Sequence, residues 1–283
     1  MAKPSVKPVI ISKVSHAENV QTGIADLIAV EEPIEIRLGF GKAQHRQQKS
    51  ISVTMRTPGH DFELALGFLY TEGIIKSAEN ILSVKYCTDL NTVEDLENIV
   101  RVELRPEVDF DLEKLQRNFY TTSSCGVCGK ASIDALKTVC NIDNSSNDFI
   151  LSAELLTGLP EILRQQQTVF EHTGGLHAAA LFSAEGKMLL MREDVGRHNA
   201  LDKLIGAALQ LKWLPANNKI LLLSGRASFE LIQKSAMAGL RLVCAVGAPS
   251  SLAVDTASGF NITLIGFLRD KRFNIYSAPA RVR

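Results

Sequence analysis

Short apolar runs separated by turn residues fill the first third of the chain. Residues 26–30, 34–40 and 50–55 alternate or run apolar over strand lengths, which predicts a small set of strands. Asp61 then stands where a helix cap is expected. Phe62, Leu64, Ala65, Leu66, Phe68 and Leu69 give the helix a broad apolar face, and Gly73 is placed to end it. Strand-like pieces follow at 81–86 and 99–104, while the polar stretch 109–118 fits either a helix or a connection. Residues up to about Ala17 carry two prolines and little periodicity, which predicts a flexible lead-in with order beginning near Gly23.

A polar connection at 141–148 separates this region from a different pattern. A glutamine-rich and therefore exposed helix is expected from Ser152 or Ala153 to Gln167. HAAALFS, AEGK and MLLMRE then read as strand, turn and strand. Helices at 195–211, 228–239 and about 250–258 alternate with strands at 219–223, 242–246 and 262–268, and a last strand covers 273–277. That alternation predicts an α/β sheet covered on both faces. The expected division is a small N-terminal α+β domain over residues 1–118 and an α/β domain over residues 119–283.

Polar residues interrupt the apolar face of the helix at 195–211. Leu201, Leu204, Ile205 and Ala208 share one side, and continuing that side backward brings up Asp194, Arg197 and His198, while Asn199, Lys203 and Gln210 point elsewhere. An inward-facing acid, guanidinium and imidazole are costly unless paired or used. One reading is a structural network with Asp194 capping the helix and pairing with Arg197. The other is an anion or cofactor contact at a helix start, where free N–H groups favour negative charge.

Two further features fit the second reading. The strand at 219–223 empties into Ser224-Gly225-Arg226-Ala227-Ser228 before a helix, an arrangement that admits phosphate in α/β proteins, although it matches no Gly-rich or Walker pattern. Phe267-Leu268-Arg269-Asp270-Lys271-Arg272 gathers three cations between two strands, equally compatible with a solvated hairpin tip. His177, read alone, suits a core histidine better than an acid/base group.

Composition narrows the class. The chain has 283 residues, 46% hydrophobic and 22% charged, enough for a sizeable core. Its 31 basic and 31 acidic residues cancel, so nothing points to nucleic acid or an anionic membrane as partner. No apolar run reaches the length of a membrane helix, and the N-terminal stretch is too short for a signal peptide, so a cytoplasmic protein is expected. Five cysteines, an odd number, suit reduced thiols better than a disulfide framework.

Two of those thiols carry the sharpest chemistry. Thr121 to Ser132, TTSSCGVCGKAS, sets Cys125 and Cys128 two residues apart among Gly126 and Gly129, which permit tight turns. Ser123 or Ser124 is placed to cap a short helix suggested by Ile133, Ala135, Leu136 and Val139. A helix start and Lys130 both favour the reactive thiolate. Structural zinc lacks a second pair, since Cys87, Cys140 and Cys244 stand alone; a thioredoxin-like pair lacks its preceding apolar strand; two ordinary buried cysteines sit badly among glycine and serine. All three stay open beside the reactive-thiol reading.

With these residues assembled, the chain resembles the formate dehydrogenase accessory sulfurtransferases of the FdhD family. The resemblance is carried, in order, by ALGFLYTEGII (65–75), CGVCG (125–129), HAAALF (177–182), EDVGRHNALDKLIG (193–206), SGRASFELIQKSAMAG (224–239) and the closing NITLIGFLRDKRFNIYS. It implies a sulfur relay. A cysteine desulfurase would load a persulfide on Cys125, assisted by Cys128, for delivery to the molybdenum or tungsten bis(molybdopterin guanine dinucleotide) cofactor of formate dehydrogenase, which is bound as substrate. The family's nucleotide contact falls on Phe267, Leu268, Arg269, Asp270, Lys271 and Arg272, and Asp194, Arg197, His198, Ser224, Arg226 and His177 are expected on the cofactor side. The resemblance also implies a cytidine-deaminase-like α/β/α layered C-terminal domain and a homodimer, with no resident metal.

Deamination itself does not follow. A zinc deaminase needs a catalytic Glu after its His or Cys and a later P-C-x-x-C, whereas His177 is followed by three alanines and the Cys-x-x-Cys comes earlier without its proline. A cofactor chaperone that moves no sulfur is the other alternative. Alanine at Cys125 and Cys128 separates it from a carrier.

Overall fold

The computed structural model describes residues 3–15, 18–87, 97–108 and 149–283. The Cys-x-x-Cys loop, the helix expected after it and the boundary expected at residue 118 lie outside the described residues. β1 (Val6–Ser15) and β2 (Glu18–Ala29) form a two-stranded antiparallel ribbon. The lead-in is therefore strand from Val6 onward, and regular structure begins well before Gly23. Both members of such a ribbon are edge strands, where Pro8 is tolerated. Gly23, at φ +78°, is the extra residue of a bulge between the pairs Ile11↔Ile24 and Ser12↔Thr22.

β3 (Glu32–Phe40), β4 (Gln47–Arg56), β5 (Ile81–Tyr86) and β6 (Ile99–Leu104) make a four-stranded sheet in the order β4-β3-β6-β5, with β3 and β6 parallel. Ile34, Ile36, Leu38, Val100 and Val102 alternate onto one face, where Leu64, Leu66 and Leu69 of α1 (Asp61–Thr71) cover them. Asp61 does not cap this helix. His60 occupies the cap position at φ 58°, and Asp61 is held by the buried Arg56, whose Nη2 lies 2.9 Å from Asp61 Oδ2. Gly73 ends the helix as expected, at φ +72° with its N–H donating to the Tyr70 carbonyl at 3.0 Å.

The remainder runs α2 (Ala153–Arg164), α3 (Thr168–Thr173), β7 (His177–Phe182), β8 (Met188–Asp194), α4 (Arg197–Gln210), β9 (Ile220–Leu223), α5 (Phe229–Met237), β10 (Leu242–Ala245), α6 (Ser251–Gly259), β11 (Thr263–Arg269) and β12 (Arg272–Ser277). The six strands form one sheet ordered β12-β11-β10-β9-β7-β8, with β9, β10 and β11 parallel. Alternation splits each apolar run between two cores. Leu221, Leu223, Val243 and Ala245 face α4, α5 and α6, while Ile220, Leu222, Leu242 and Cys244 face Leu156, Leu159 and Leu163 of α2. α2 is thus half-buried and shorter than its glutamines suggested. Ser152 caps it, accepting the Leu155 N–H at 3.2 Å, and the chain turns after Arg164 to begin α3.

The two sheets meet where α1 crosses α4. A methyl group on Gly67 would overlap the Asp202 carbonyl oxygen, and one on Gly206 the Glu63 carbonyl oxygen. Two glycines therefore set the distance between the helices. No helix among the described residues is long and apolar enough to cross a membrane.

Candidate functional site

The parallel strands β9, β10 and β11 end at one edge of the six-stranded sheet. α4, α5 and α6 begin at that same edge, and the β11–β12 hairpin projects from it. Crevices outside the carboxyl ends of such strands are where open α/β sheets take ligands. The loops are fastened together: Gly247 N–H donates to the Gly225 carbonyl at 2.9 Å, and Ser250 N–H to the Ala227 carbonyl at 3.0 Å. His177 enters at the start of β7. Its Nδ1 would lie only 3.2 Å from a Cβ at Gly225, so the glycine lets the imidazole rest against the loop. Beside it, Ser224 Oγ accepts the Ala178 N–H at 2.8 Å.

A cleft of about 980 Å³ opens here. α2 contributes Gly158 and Arg164, the α3 segment contributes Gln167, Phe170 and Leu176, the strand ends contribute His177, Ser224 and Val246, and the hairpin contributes Leu268, Arg269, Asp270 and Lys271. The hairpin reverses through Asp270 and Lys271, both at positive φ (53° and 59°), as a two-residue turn matched to strand twist requires. Apolar walls with cations at the hairpin suit a ligand with a flat apolar part and an anionic part.

The polar segment at the start of α4 is a structural network, as in the first sequence reading, but with a partner other than Arg197. Asp194 is fully buried and does not pair with Arg197. Its Oδ2 lies 2.7 Å from Lys203 Nζ, and it accepts N–H groups of Gly196 (2.8 Å) and Thr57 (3.2 Å) and the Asn199 amide (3.2 Å). Lys203 also donates to the Thr57 carbonyl at 2.8 Å, and Asn199 to the Met55 carbonyl at 2.7 Å. Both residues are buried, Asn199 at 8% and Lys203 at 1% exposure. Asp202, the residue before Lys203, meets Lys234 of α5 at 3.0 Å and the Thr71 hydroxyl of α1 at 3.0 Å. This motif is largely a seam between the two sheets.

Arg197 and His198 begin α4 beside that seam. Among the described residues the buried Arg197 Nε has no hydrogen-bond partner. His198 Nε2 lies 3.2 Å from Ser228 Oγ and 3.7 Å from the Glu230 carboxylate. Burial, and then the Arg197 cation, holds both the His177 and the His198 imidazoles below their ordinary value, against Asp194 in the first case and Glu230 in the second. His177 therefore offers the cleft a neutral ring at neutral pH. Burial pushes the Cys244 thiol up, so it is no candidate for thiol chemistry.

Of the residues expected on sequence, His177, Ser224, Leu268, Arg269, Asp270 and Lys271 come together in the cleft. Arg197, His198, the exposed Arg226 and Arg272, and the half-buried Phe267 lie outside its lining, as does Asp194. Sequence reading missed the wall built by Gln167, Phe170 and Leu176. The signal was the Gly174-Gly175 pair, which closes one element before β7 and argues against a connection without structure.

These features define a mixed α/β protein with two principal sheets and a ligand crevice at the carboxyl edge of the larger one. The FdhD/NarQ family model matches residues 29–283, and the chain belongs to that family. It is 50% identical over 263 residues to the sulfur carrier protein FdhD of Mycolicibacterium paratuberculosis, covering 91% of this chain and 92% of that one. It is 41% identical over 258 residues to the protein of the same name from Saccharolobus solfataricus, covering 91% of each. The crystal structure of a protein from Desulfotalea psychrophila, described as a formate dehydrogenase accessory protein, superposes with a TM-score of 0.72 over 99% of this chain and all of that one, at 22% identity.

Proposed function

We propose that the chain is a sulfur carrier with sulfurtransferase activity in formate dehydrogenase maturation. The observation that carries the reading is near-end-to-end identity of 41–50% with relatives named sulfur carrier protein FdhD, in a chain that contains the Cys125/Cys128 pair. In the finer form of the proposal, Cys125 thiolate attacks the sulfane sulfur of a cysteine desulfurase persulfide. A new S–S bond forms and the desulfurase thiolate leaves. The sulfur then passes to the molybdenum or tungsten bis(molybdopterin guanine dinucleotide) substrate as a sulfido ligand, with two electrons from the reduced metal and Cys125 released as thiolate. The cleft at the hairpin is the proposed seat of the cofactor's nucleotide part. A cytidine-deaminase-like layering, a homodimer and a cytoplasmic site of action belong to the same proposal.

Intact mass after incubation with a cysteine desulfurase and cysteine tests the central step. A gain of about 32 Da, reversed by thiol and absent from Cys125→Ala, is expected for a persulfide carrier. No gain beside an active desulfurase would overturn the carrier reading and leave a cofactor chaperone, which the cleft alone would also serve.

A further inference from the structure

Phe170 lines the cleft with 38% of its surface exposed. A phenyl ring in a concave wall keeps apolar area in water until a ligand covers it. Its backbone is not free to withdraw. Glu193, near the end of β8, accepts the Phe170 N–H at 3.1 Å and the Val169 N–H at 3.4 Å, and its carboxylate is also hydrogen-bonded to the side chain of the buried Gln167. One carboxylate from a rigid strand thus fixes the first turn of α3, and Gly174, at φ +64°, closes that helix before the chain continues along the cleft. Glu193 does not itself line the cleft. Arg164, Arg269 and Lys271 place cations in the same space.

We propose that Phe170 is the platform on which the base of a bound nucleotide stacks, and that Glu193 is the positioning residue that holds it there. The inference rests on the reading of the cleft as the seat of a nucleotide. A flat base suits the ring, and phosphates suit the cations. Stacking registers that a base is present, not which base, so any choice of guanine falls to polar groups elsewhere in the cleft.

Calorimetry on the full chain tests this with two probes, guanosine diphosphate and inorganic pyrophosphate. Phe170→Leu is expected to weaken the nucleotide about tenfold and leave pyrophosphate unchanged, while Phe170→Trp retains nucleotide affinity. Glu193→Ala should match Phe170→Leu, and Glu193→Gln, whose amide carbonyl still accepts an N–H, should recover part of the loss. Equal nucleotide binding by wild type and Phe170→Leu would overturn the platform while sparing the nucleotide site. A parallel loss of pyrophosphate would also overturn it, by making Phe170 a general support of the cleft. Absence of nucleotide binding to the wild-type chain would remove both the platform and the cofactor-cleft reading. If Glu193→Ala fails to fold, the Phe170 pair still decides.

Discussion

Lys203 Nζ lies 2.7 Å from Asp194 Oδ2, with the lysine side chain 1% exposed and the aspartate fully enclosed. Removing the lysine strands a carboxylate that has no access to water. Lys203→Met is expected to cost roughly 3–5 kcal/mol in chemical denaturation, and adding Asp194→Asn should return part of it. A loss under about 1 kcal/mol would mean the pair contributes little to holding the seam.

The crossing of α1 and α4 gives a steric prediction. Gly67→Ala and Gly206→Ala each drive a methyl group into a backbone carbonyl of the opposite helix, which no rotamer change can relieve. Each should cost about 3 kcal/mol or more, a fall in Tm of roughly 6–12 °C for a chain of this size. Gly158→Ala is the control, since nothing lies near its added methyl and the substitution favours the helix.

Glu63 supplies the acid limb of stability. Burial resists ionisation, but hydrogen bonds from Arg192 (2.8 Å from Nη2) and His60 overcome it and hold Glu63 at about 2, against an ordinary 4.5. A depressed folded pKa stabilises above the unfolded value and the contribution is lost as pH falls. About 2 kcal/mol should therefore disappear between pH 4.5 and about 2 after allowance for solvent screening. Denaturation midpoints across that window should fall less steeply for Glu63→Gln.

The hairpin cations and Arg226 separate in a binding experiment. Arg269→Gln combined with Lys271→Gln should weaken guanosine diphosphate about tenfold and flatten its salt dependence, because both residues line the cleft. Arg226→Gln, whose parent side chain is exposed outside the lining, should leave affinity unchanged. The reverse pattern would move the anion site to the loop after β9.

The six-stranded layer was legible because Leu221 to Leu223 and Leu242 to Ala245 are apolar on both faces and bounded by turns, leaving no reading but buried strands. The cleft was half legible. Arg269 and Lys271 announce themselves as charge on a turn, while Phe170 sits in six helical residues too few to show a period. The burial of Lys203 and Asn199 was not legible, for a physical reason. A helical wheel assumes one wet side, but α4 has the sheet on one flank and α1 on the other, so residues 199–209 are all buried. Only the end of β2 was legible, as the strand at 26–30. β1 and most of β2 escaped because Pro8 and two lysines mask the alternation of β1 and its partner is its own neighbour.

Asn199 and Lys203 reach across to the carbonyls of Met55 and Thr57, and Thr57 answers with its own N–H to Asp194. Cutting the chain into a four-stranded half and a six-stranded half would leave each with severed polar ends and a glycine-lined trough where a helix belongs. The larger half, which holds the cleft, is therefore not a portable binding module. Heat or denaturant should melt the described parts of both sheets in one cooperative step, with the same midpoint whichever side is probed.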